Sequence, residues 1–259
     1  MDTYLEGLMV ALIAIALFLA ARLVLADAGV AGVALSEWLA LVAVPVSVLF
    51  LRGRSVAGDL GLRPLPPRGT GAAILLGLGA LPMAWFALWM ASVVAPVDAE
   101  VVRAMGRELV AADRGELILL LGLAAVTPAL CEEVLFRGLL LNTLLRRHSP
   151  PVAIGVSALV FSVLHWTPSA AARVAPTFVL GLILGWAVWR SRSLWVGVLV
   201  HLVYNATLLV GAAASLGPGP ARPQEPPTLV ILVGVAFLAA GTHFLMLGSP
   251  TSRTPTTST

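Results

Sequence analysis

The sequence predicts an all-α fold, a polytopic transmembrane helical bundle of about eight spans. Two observations predict it. The 259-residue chain is 59% hydrophobic and only 11% charged, where a soluble domain carries about 25% charged residues. Apolar runs near the ~20 residues needed to cross a bilayer recur along most of its length.

The spans are expected at 7–25, 34–51, 70–94, 116–145, 151–166, 173–189, 193–213 and 228–247. The fifth and sixth are short, which suits helices packed inside protein. Residues 52–69 are rich in Arg and Pro and read as a loop. Residues 98–113 put Val101, Val102, Met105 and Leu109 on one helical face, the pattern of an interfacial amphipathic helix. Residues 215–227 form a Gly/Pro-rich linker. The Ser/Thr/Pro-rich tail 249–259 is expected to be disordered. Residues 1–248 read as a single transmembrane domain with a motif-bearing core at 116–213. The first residues hold Asp2 and Glu6 and no Arg, so they lack the basic region of a cleaved signal, although Ala26-Asp27-Ala28 looks like a cleavage triplet.

All sixteen basic residues are Arg and none is Lys. Most lie in loops, where they set orientation, so the net charge of +3 does not point to nucleic acid. With the N-terminus inside, the inner loops hold Arg52, Arg54, Arg63, Arg68, Arg146, Arg147, Arg190, Arg192 and Arg253. The outer segments hold only Arg22, Arg103, Arg107, Arg114, Arg173 and Arg222. The excess puts both termini in the cytoplasm. The single Cys131 excludes an internal disulfide and a multi-Cys metal site. It reads as packing.

Six polar side chains interrupt these apolar helices: Glu132, Glu133, Arg137, His165, His201 and Asn205. A charge at membrane depth costs roughly 2.5–3.5 kcal/mol on insertion scales, so such groups normally face an internal cavity and serve a function. Their spacing adds to this. Glu133 and Arg137, four apart, share a helix face and can pair, while Glu132 is turned ~100° away. Phe161 and His165 share a face, as do His201 and Asn205. At ~1.5 Å per residue, Glu133, His165, His201 and Asn205 fall in one slab roughly 12–21 Å from the Arg-rich side, and access from that side is expected. Pro128, four residues before Glu132, can kink its helix. Gly181 and Gly185 form a step that marks close helix packing. His148 and His243 have no partner by spacing and read as structural.

Two mechanisms fit. In one, Glu132 and His165 activate a water that attacks a peptide carbonyl, with His201 and Asn205 donating to the oxyanion. In the other, Glu132, His165 and His201 hold a divalent metal such as Zn2+, a known ligand set that lowers the pKa of its water. No His-Glu-x-x-His sequence is present, so the metal case rests on convergence in space. The plainer reading of the same groups is interhelical glue, or a scaffold that keeps the cavity for binding partners.

At these residues the chain resembles the CPBP family of CAAX proteases, bacteriocin-processing enzymes and abortive-infection proteins. The family's three motifs occur complete and in order, as Glu132-Glu133-x-x-x-Arg137, Phe161-x-x-x-His165 and His201-x-x-x-Asn205. The resemblance implies an eight-helix intramembrane endopeptidase with a polar catalytic cavity and a membrane-associated peptide or protein substrate. By that analogy Glu132 and His165 activate water, and His201 and Asn205 form the oxyanion site. The absence of Lys and the short loops place such a protein in a bacterial inner membrane.

Overall fold

Each expected span contains a helix: α1 Thr3–Val24, α2 Ala26–Leu51, α3 Gly69–Val94, α4 Arg114–Leu144, α5 Pro150–Val163, α6 Ala171–Ser191, α7 Leu194–Ala214 and α8 Thr228–Leu247. The computed structural model describes residues 2–95, 113–166, 168–214 and 223–247, with the backbone alone at 168–170. Among these residues there is no strand. The helix expected at 98–113 lies, but for its last residue, outside the described residues, as do the tail 249–259 and residues 215–222 of the linker.

Among the described residues, seven helices are long and apolar enough to cross a membrane, and α5, at 14 residues, is shorter. The bundle wears its apolar side chains outward: Leu12, Phe50, Ile118 and Leu229 are all more than 60% exposed. A soluble bundle would turn polar faces to that surface. Here hydrocarbon is the solvent it suits.

Three expectations change. The α2 span reaches back to Ala26 rather than starting at residue 34: a 3-10 turn covers Ala26–Ala28, Gly29 breaks the path with a φ of 55°, and the α-helix then runs from Gly29, well before residue 34. Helix α6 has 21 residues and is not short. Helix α5 ends at Val163, so His165 sits on the turn beyond it, its N–H bonded to the Ser162 carbonyl.

Two helices are irregular inside the bundle. Helix α2 has a π-helical turn at Trp38–Val42, and α4 has two, at Gly122–Val126 and Val134–Leu141. Pro128 follows the first turn of α4, so the wide turn accommodates the proline. Such turns commonly mark functional positions.

Small residues bring the helices together. Helix α3 packs on α6, α7 and α8, and α5 packs on α6. A Cβ on Gly79 would lie 2.9 Å from the Gly234 carbonyl oxygen of α8. A Cβ on Gly181 would lie 2.9 Å from Ala158 Cβ, and one on Gly185 would lie 3.1 Å from Ile154 Cγ2, so this glycine step does seat α6 on α5. Without a hydrophobic drive between helices in lipid, such close approach supplies the attraction.

The N-terminus and the α2–α3, α4–α5 and α6–α7 loops meet at one end of the bundle. Arg146 pairs with Asp59 at 3.2 Å, Arg52 with Glu6 at 2.9 Å, and Arg147 with Asp2. Ser193 donates to the Arg63 carbonyl at 2.7 Å, and Asn142 to the Asp59 carbonyl at 3.2 Å. His148, expected to have no partner, lies 2.9 Å from the Tyr4 hydroxyl. This contact spans 144 positions, beyond the reach of spacing arguments.

Glycine packing gives a direct test. Gly79→Ala must shift backbone against α8 and should cost about 1–3 kcal/mol, whereas Gly71→Ala, with nothing within 4 Å of the new Cβ, should be neutral or stabilising. Thermal unfolding in detergent checks the pair. Equal midpoints would contradict the close α3–α8 contact.

Candidate active site

Helix α4 supplies the central groups. Glu133 and Arg137 have no exposed side-chain surface, and an Arg137 guanidinium nitrogen donates to Glu133 Oε1 at 2.7 Å. A second guanidinium nitrogen donates to the Gly181 carbonyl at 3.3 Å. The guanidinium also lies 4.5 Å from the centre of the Phe161 ring, a cation–π contact. Glu132 points elsewhere, as its rotation on the helix predicts, and lies toward two imidazoles.

The imidazoles come from two other elements. His201, 3% exposed on α7, lies with Nδ1 3.1 Å from Glu133 Oε1. Since a carboxylate only accepts, this bond puts a proton on Nδ1 and turns Nε2 toward Glu132, 3.7 Å from Oε2. His165 lies with Nδ1 3.0 Å from the Phe161 carbonyl, another acceptor. Its Nε2 therefore also faces Glu132, 4.0 Å from Oε1. An anchored Nδ1 with a directed Nε2 is how second-shell bonds orient histidine.

Phe161 backs the whole set. Its ring centre is 4.9 Å from that of His165 and 6.0 Å from that of His201, edge-on to the latter at 86°. Phe136 closes the other edge at 5.2 Å, and the Phe136 carbonyl accepts from Ser157 at 3.0 Å. Asn205 lies one turn beyond His201 on α7, half-buried. Cys131 is fully buried in the core, as its packing role requires.

The surroundings of the site differ between its two sides. Toward the Arg-rich end the bundle is filled by buried Leu60, Leu135, Phe136, Leu139 and Leu141. On the opposite side His165 keeps 24% of its side-chain surface exposed, and Trp166 next to it is exposed.

As possible metal ligands, Glu132, His165 and His201 have the right chemistry. Tetrahedral zinc at ~2.1 Å from each ligand spaces them about 3.4 Å apart. The separations of 4.0 and 3.7 Å are wider, and among the described residues no three His, Cys, Asp or Glu form a ready metal-holding group. The two Glu132–imidazole separations exceed that spacing by about 0.3–0.6 Å.

Two contributors escaped the sequence reading. Gly197, one turn before His201, lies where a Cβ would be 2.8 Å from Glu133 Oε2. Its four-residue spacing to His201 was a usable signal. Glu37, on α2, is 4% exposed. The observed start at Ala26 puts it well inside.

Residues 114–207 match the family described as type II CAAX prenyl endopeptidase Rce1-like. The match runs from the start of α4 into α7 and contains all three motifs, so this segment is similar to the CAAX-protease family that the motifs resemble. Comparison with curated proteins and with solved structures gives no match.

The buried pair predicts a difference between two variants. Removing one partner of a buried pair strands a charge and costs about 3–5 kcal/mol. Arg137→Ala should therefore unfold in detergent well below Glu132→Ala, which strands no such partner. Equal midpoints would remove the Glu133–Arg137 pair from its supporting role.

Proposed function

We propose that this CAAX-protease-like chain hydrolyses a peptide bond of a membrane-associated substrate with a water activated by Glu132 and His165. One observation carries the reading: Glu132 Oε1 and His165 Nε2, both acceptors, lie 4.0 Å apart. That is too far for a direct hydrogen bond and suits one bridging water. A water at ~2.8 Å from each atom would meet them at an angle of about 90°, close to its own H–O–H angle. Both hydrogens are then engaged and a lone pair is free.

The chemistry follows. As the water oxygen bonds to the carbonyl carbon, Glu132 takes a proton from it and later passes that proton to the leaving amine. His201 and Asn205, one turn apart, donate to the oxyanion. To donate from Nε2 while Nδ1 donates to Glu133, the His201 ring must carry both protons. The substrate enters unwound, because a helix hides its carbonyls in internal hydrogen bonds.

A metal-assisted version is the second reading. What favours it is that both imidazoles have Nδ1 tied to an acceptor and Nε2 turned toward Glu132. Glu132, His165 and His201 would hold a divalent ion, which would supply an acidified water and polarise the carbonyl.

Cleavage is tested on a fluorescence-quenched peptide with a prenylated Cys-aliphatic-aliphatic-X end, beside an unprenylated hydrophobic peptide, both in liposomes. Glu132→Ala and His165→Ala should each lower turnover by about 10²–10⁴-fold while remaining folded and inserted. Cleavage by both variants at the wild-type rate would defeat the assignment. A folded wild-type protein that cuts neither probe would favour the scaffold reading.

Elemental analysis of detergent-purified protein separates the two mechanisms. The water-only version expects substoichiometric metal and activity that survives a chelator. One zinc per chain, with activity lost to the chelator and restored by zinc, selects the metal version.

A further inference from the structure

The arginines at the Arg-rich end fall into two groups. In the first, Asp2 pairs with Arg147, Glu6 with Arg52 at 2.9 Å, and Asp59 with both Arg54 and Arg146, at 2.5 and 3.2 Å. These cations and anions nearly cancel. In the second, Arg63, Arg68 and Arg192 are exposed and have no acidic partner among the described residues.

The fold brings the second group to one place. Ser193 Oγ donates to the Arg63 carbonyl at 2.7 Å, and the Leu194 N–H to the Gly61 carbonyl at 2.9 Å. The loop that carries Arg63 therefore lies against the turn that carries Arg192. Arg68 immediately precedes α3, and its carbonyl accepts from the Ala72 N–H at 3.0 Å. Ala72 packs in one buried cluster with Ala187 of α6 and Val196 of α7, the helices on either side of Arg192.

Two further observations bear on what these cations meet. Arg68 and Arg192 have positive φ, 67° and 56°, and are the only non-glycine residues among those described that do. That backbone suits glycine and gains nothing from a long cationic side chain. Trp189 and Trp195 lie three residues to either side of Arg192 and are each 39% exposed. Tryptophans so placed mark the membrane–water boundary, which puts Arg192 at headgroup level.

We propose that Arg63, Arg68 and Arg192 bind the headgroup of an anionic phospholipid in the leaflet at this end of the bundle. Guanidinium groups hold phosphate oxygens through paired N–H donors, and basic pockets between transmembrane helices take such headgroups. The charge argues for an anionic lipid over a zwitterionic one, whose own ammonium would meet the same unbalanced arginines. The tryptophan pair argues for a lipid over a phosphate free in solution, since it sets the site where headgroups are concentrated. One bound lipid would then join the α2–α3 loop to the starts of α3 and α7 and the end of α6.

The test uses the full-length chain in detergent, titrated with phosphatidylglycerol or phosphatidylcholine and read by native mass spectrometry. Thermal unfolding of the lipid-free proteins checks folding. The variants are Arg63→Gln, Arg68→Gly and Arg192→Gly, singly and combined; glycine relieves the positive φ, so the last two keep the fold. Wild type should prefer phosphatidylglycerol, each single variant should weaken that lipid about fivefold, and the triple variant about 100-fold. Arg147→Gln, which removes a cation already paired with Asp2, should stay within about twofold of wild type. Equal retention of the two lipids by wild type overturns the proposal. So does wild-type preference in folded Arg68→Gly and Arg192→Gly, or an equal loss in Arg147→Gln, which would make the effect one of overall charge. Inorganic phosphate should leave the lipid bound; its displacement of phosphatidylglycerol at millimolar concentration would overturn the lipid assignment in favour of a soluble anion.

Discussion

The Arg137–Glu133 pair is the constraint from which the rest of the site follows. Both side chains are fully buried in a bundle surrounded by hydrocarbon, where an uncompensated charge would be expensive. Glu133 Oε1 accepts from Arg137 and also from His201, so the ion pair on α4 sets the ring orientation of a histidine on α7. Arg137 reaches the Gly181 carbonyl on α6 and lies over Phe161 on α5. Four helices thus share one buried cation. Glu132, next in sequence to Glu133, is kept out of that arrangement by helix rotation alone and remains available to the imidazoles.

Such a centre needs close walls. Gly197 lets α7 approach Glu133 Oε2, and Gly181 lets α6 approach α5 while offering its carbonyl to Arg137. Any larger side chain at either position would push apart the elements that the ion pair joins. The loop between α2 and α3 has a complementary role at the Arg-rich end. Leu60 packs against Gly138, and the Asp59, Gly61 and Arg63 carbonyls take hydrogen bonds from α4 and from the start of α7. That end is therefore tied together by a hydrogen-bonded loop. The three π-helical turns lie in α2 and α4, the helices that carry the acidic groups. Irregular backbone at membrane depth is tolerated where protein surrounds it.

By itself the sequence determined the fold class, the eight helices and the identity of the polar groups. Hydropathy reports length and composition, and these decide whether a segment can live in lipid. Four-residue spacing decides which side chains share a face, so the Glu133–Arg137 pair and the outward turn of Glu132 were both legible. What only the tertiary structure decided involves distances between helices. The tie from Glu133 to His201, the two Nε2 atoms facing Glu132 and the partner of His148 all depend on how helices far apart in the chain meet. Hydropathy also misplaced the start of α2, because an acidic residue lowers a window average whether or not it ends a helix. Periodicity describes one helix at a time; the depth and direction of a shared interior belong to the bundle.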